Sequence, residues 1–75
     1  MDTMTVGETA GKVWQYLANK GPTLAKNLPK GIGSDPMLAQ MAVGWLSREG
    51  KVKFDEKGKD FLISLTESEL KTLGS

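Results

Sequence analysis

Apolar residues recur at helical spacing over two long stretches of the chain and alternate with polar ones over two shorter stretches. Val6, Ala10, Val13, Trp14 and Leu17 predict an amphipathic helix over residues 6–19. Thr5, followed three residues later by Glu8, has the form of a capping box at its start. Gly21-Pro22 interrupts that pattern, and Thr23 is placed to cap a short second helix through Leu24, Ala25 and Leu28. Pro29-Lys30-Gly31-Ile32-Gly33 then breaks the chain again. A third helix is expected over residues 35–49, with Ser34 as its cap, Pro36 in the first turn where no backbone donor is needed, and Gly50 as the left-handed stop.

Beyond Gly50 the period changes from helical to two. Lys51-Val52-Lys53-Phe54-Asp55 places Val52 and Phe54 on one face and the charges on the other, as in a half-buried strand. Glu56-Lys57-Gly58-Lys59 reads as a turn with one glycine for a positive dihedral, and Asp60-Phe61-Leu62-Ile63-Ser64-Leu65 as the returning strand. Thr66 and Glu69 form a second capping box before Leu70 and Leu73, which predicts a short terminal helix. The expected core is Val13, Trp14, Leu17, Leu24, Leu28, Ala42, Leu46, Val52, Phe54, Phe61, Ile63 and Leu65. Helix, short helix, long helix and hairpin follow in the order of an α+β winged helix-turn-helix, here a single domain over residues 1–75. A short first strand near Pro22-Thr23 is expected to join the sheet.

Two runs carry a resemblance to a known family. Gly11-Lys12-Val13-Trp14-Gln15-Tyr16-Leu17 and Ala42-Val43-Gly44-Trp45-Leu46-Ser47-Arg48-Glu49-Gly50-Lys51-Val52 resemble small stand-alone winged helix-turn-helix proteins of bacteria and archaea, a domain family of unknown function. The resemblance spans nearly the whole chain and implies the winged fold. It brings no ligand and no catalytic residue with it.

Composition narrows the chemistry. The 75 residues contain no histidine and no cysteine, which removes imidazole acid–base catalysis, thiolate metal sites and disulfides, and argues against an enzyme. No cofactor, metal or small-molecule ligand is expected. The first residues lack the basic and apolar regions of a signal peptide, and no apolar run approaches the roughly 20 residues that span a bilayer, so a cytoplasmic location away from membranes is expected. Ten Lys+Arg against nine Asp+Glu leave a formal charge of +1, so any affinity for nucleic acid must come from a local patch.

In a DNA-binding winged helix the third helix enters the major groove and the wing meets neighbouring phosphates. With Ala39, Ala42, Val43 and Leu46 buried, the opposite side of that helix presents Met37, Gln40, Met41, Gly44 and Arg48; a rotated alternative buries Leu38 and Trp45. Gln40 suits adenine and Arg48 guanine, although Gln40 also suits plain solvation and Arg48 complements the helix dipole. Arg48, Lys51, Lys53, Lys57 and Lys59 outweigh Glu49, Asp55 and Glu56 locally. They fit either phosphate contacts or protection of a strand edge. Met37, Met41 and Trp45 widen the apolar stripe beyond what one core-facing helix requires, which leaves them as extra core or as a partner surface. Gly44 fits close approach of either a neighbouring helix or a partner. Gly31-Ile32-Gly33-Ser34 lacks the strand and the lysine-threonine pair of a phosphate loop.

The expected function is nucleic-acid binding in transcription regulation. Double-stranded DNA would be held by Gln40, Arg48, Lys51, Lys57 and Lys59. The alternative is a protein-interaction or homodimerisation module using Met37, Met41 and Trp45.

Overall fold

The computed structural model describes residues 6–74. Helix α1 (Val6–Lys20) is followed by β1 (Thr23–Leu24), a 3-10 turn (Ala25–Asn27), α2 (Leu28–Ile32), α3 (Pro36–Arg48), β2 (Val52–Lys57), β3 (Asp60–Leu65) and α4 (Glu67–Gly74). The sheet is antiparallel in the order β1-β3-β2, with Thr23 opposite Ile63 and Phe54 also opposite Ile63 from the other side. The architecture is the α+β winged helix-turn-helix anticipated from the element order, including the short first strand. Thr5, the expected cap of α1, lies outside the described residues.

Helix α3 packs along α1, and both rest on the sheet around Val13, Leu17, Leu28, Ala42, Leu46, Val52, Ile63 and Leu65. The junction from α3 into β2 is set locally. Lys51 N–H donates to the Leu46 carbonyl (2.9 Å) and Gly50 N–H to that of Ser47 (3.0 Å), a Schellman closure that places Gly50 at φ +73°. A side chain at that φ would be strained, so the glycine lets the helix stop and the strand begin with only three residues between them.

Several local expectations are corrected. Asp35, not Ser34, caps α3: its carboxylate accepts from Leu38 N–H at 3.3 Å, while Ser34 Oγ donates to the Asp35 carbonyl. Thr23 does not cap a helix, because β3 recruits Thr23 and Leu24 as a strand. The second helix therefore starts later, at Leu28, with Pro29 in its first turn rather than acting as a breaker. The Thr66–Glu69 pair does not close a capping box. Thr66 Oγ1 donates to the Gly50 carbonyl (2.9 Å), and Glu69 Oε1 accepts from the Trp14 indole N–H (2.7 Å). Phe54 and Phe61 are not core; they remain 44% and 48% exposed. Trp14 and Leu24 are only partly buried.

Candidate recognition surface

With Ala39, Ala42, Val43 and Leu46 turned inward, the rest of α3 sorts by helical angle into three strips. Pro36, Gln40 and Gly44 face the wing; Trp45 lies toward α1, bordering a recess with Gly7, Ala10, Gly11 and Trp14. Met37, Met41 and Arg48 run between them and, with Trp45 at the rim, make up the exposed crown of the helix. The rotated alternative is excluded, since Trp45 is exposed. Met37, Met41 and Trp45 keep 68%, 51% and 52% of their surface in water, so neither α1 nor the wing covers them. They are not extra core of the monomer.

Gly44 is not explained by close packing inside the chain. A Cβ built there meets nothing within 4 Å. The glycine opens onto a cleft of about 250 Å³ between α3 and the wing, bordered by Pro29, Pro36, Gln40, Phe54 and Phe61. The two phenyl rings meet edge to face, with centroids 6.4 Å apart and planes at 77°. Both point to the helix side of the sheet, as their alternation required, but they face α3 across the cleft instead of packing tightly against it. Sequence reasoning missed this cleft because alternation reports which face a residue takes, not how closely the facing helix packs on it.

The five expected nucleic-acid residues do not converge. Arg48 and Lys51 flank the turn from α3 into β2, whereas Lys57 and Lys59 sit at the far end of that strand, about 17 Å away by strand rise. Gln40 stands apart on the border of the cleft. All five are exposed. The wing is tied down near its tip by Asp60, whose Oδ2 accepts from Lys26 N–H (3.2 Å) and Oδ1 from its neighbour Phe61 N–H (2.8 Å). Among the described residues, no group of three or more His, Cys, Asp or Glu side chains is placed to hold a metal ion. No described helix is long and apolar enough to cross a membrane.

Three comparisons bear on this arrangement. Residues 1–65 match the family model "Winged helix-turn-helix domain (DUF2582)". The chain is similar to "Uncharacterized protein MJ1608" of Methanocaldococcus jannaschii, with 32% identity over 62 residues, covering 80% of this chain and 89% of the relative. No solved structure matches the chain. The helix-turn-helix, the glycine-stopped third helix and the wing, together with a family match from residue 1 to the end of β3, establish that this chain belongs to the winged helix-turn-helix domain family DUF2582.

Proposed function

We propose that this winged helix recognises a protein partner through the crown of α3, at the position where DNA-binding relatives of the fold read bases. The observation that carries this is the exposure of Met37, Met41 and Trp45 along one side of that helix. Two thioethers beside an indole give an adaptable apolar patch with an aromatic anchor, the composition that concentrates binding energy at protein interfaces. A base-reading helix needs donors and acceptors directed at groove edges, and the crown offers only Arg48 at its end. A sequence without histidine or cysteine supports a binding role over a catalytic one. The fitting occupant is an amphipathic segment with its own apolar anchors.

The test is photo-crosslinking in the source cells from a diazirine methionine at position 41, followed by calorimetric titration of the purified captured protein. Met41→Lys and Trp45→Ala should each weaken that titration about thirtyfold, the effect of losing a hot-spot residue, with thermal melts unchanged. Unaltered affinity in both folded variants would remove the crown from recognition.

A second reading rests on Arg48, Lys51, Lys57 and Lys59 being exposed on the two elements that meet DNA in this fold. Under it, the logarithm of affinity for a random-sequence duplex falls against log salt with a slope of about −3 to −4. Lys57→Glu combined with Lys59→Glu weakens binding to all sequences alike, while Gln40→Ala shifts preference among them. No binding to duplex or single strand at about 50 mM salt, where phosphate contacts are strongest, removes this reading.

A further inference from the structure

Among the described residues strand β2 is the edge of the sheet, bonded to β3 on one side only, and every residue in it but Val52 is exposed. The phase of its hydrogen bonds follows from its two ends. At one end, Thr66 N–H donates to the Lys51 carbonyl at 3.0 Å; at the other, a two-residue turn joins the paired residues Lys57 and Asp60. Antiparallel partners alternate between bonded and non-bonded pairs. Lys51, Lys53, Asp55 and Lys57 therefore turn their backbone groups toward β3, which leaves the N–H and C=O of Val52, Phe54 and Glu56 on the open edge.

Lysines on an edge strand ordinarily deter pairing, because like charges meet in any register. That protection fails here. On the face away from the helices the side chains alternate in sign, Lys53, Asp55, Lys57. A second copy laid antiparallel along the edge must oppose open backbone groups to open backbone groups, which restricts the registers to steps between Val52, Phe54 and Glu56. With Phe54 opposite Phe54, each Lys53 meets Asp55 of the second copy on one face and the two phenyl rings meet on the other. A step one way opposes Lys53 to itself, and a step the other way opposes Asp55 to itself. Centring on Glu56 opposes two carboxylates and leaves Phe54 facing Gly58. One register satisfies both charge and apolar surface.

We infer that the chain forms a two-fold homodimer by pairing β2 with β2 about Phe54, making one six-stranded sheet. Side chains directly opposite across an antiparallel pair share a face, so the joined phenyl rows, Phe61-Phe54-Phe54-Phe61, floor the space between two α3 helices on the same side. The crown residues Met37, Met41 and Trp45 take no part in this pairing. The dimer is thus independent of what the crown binds.

Sedimentation equilibrium from about 1 µM to about 1 mM, compared for the parent, Lys53→Asp, Asp55→Lys and the double exchange, tests the register. Lys53 and Asp55 are exposed and stand opposite the uncharged Ser64 and Leu62 of their own sheet, so all three variants should keep the parent fold by circular dichroism. The parent should dimerise reversibly. Each single change turns two symmetry-related attractions into repulsions and should raise Kd about tenfold or more, whereas the double exchange should return it to within about threefold of the parent. As a check that needs no variant, the Phe54 amide should exchange with solvent more slowly as protein concentration rises. A parent monomeric throughout the range, single variants that dimerise like the parent, or a double exchange that rescues nothing would overturn the pairing. So would a dimer that is lost with Met41→Lys and indifferent to Lys53 and Asp55.

Discussion

Leu46 is 4% exposed where α3 meets α1 and the sheet, while Phe54, eight residues on, leaves close to half its surface in water. Leu46→Ala should therefore cost about 2–5 kcal/mol, a large part of the roughly 4–11 expected for a domain of this size. Phe54→Ala should cost under half as much. Chemical denaturation of the two variants checks the contrast, and equal losses would return the phenyl ring to the core. Both residues were legible as apolar and inward-facing from their spacing. Their difference in depth was not, because it depends on how closely α3 approaches the hairpin. Gly31 shows the same boundary: a Cβ there would come within 2.5 Å of the Tyr16 ring, a contact between two helices that no local pattern announces.

At the scale of elements, signals that act within one turn were readable and those that depend on a distant partner were not. Pro36 and Gly50 bracket α3 as expected, because a missing donor and a left-handed backbone are local properties. Two adjacent residues competed to cap that helix, and Asp35 takes the position through its bond to Leu38 N–H. Asp35→Ala should thus lower stability by about 1 kcal/mol and Ser34→Ala by little, measured as shifts in denaturation midpoint at constant slope. Thr23-Leu24 suits both a helix start and the expected short strand, and the strand prevails because β3 offers it unpaired backbone groups. Thr66 and Glu69 were diverted in the same way, one to Gly50 and the other to the indole of Trp14, which fastens α4 to α1.

For the molecule as a whole, helical spacing was enough to align Met37, Met41 and Trp45 on one side of α3, but the exposure that makes them a surface came only with the packing of α1 and the wing. The basic residues, grouped in the sequence, separate to opposite ends of β2 once the strand is extended. The two tryptophans end in unlike surroundings: Trp14 is half-buried with its N–H held by Glu69, and Trp45 stands open on the rim of the crown. An indole in water emits at longer wavelength and is reached by small collisional quenchers; a sheltered one is protected. The protein thus carries two optical reporters that acrylamide can separate, and Trp45→Phe should abolish most of the quenchable emission while leaving the signal that tracks unfolding. Occupation of the crown by any partner would then be visible as a blue shift and a loss of quenching confined to the Trp45 component, without a label and without disturbing the core.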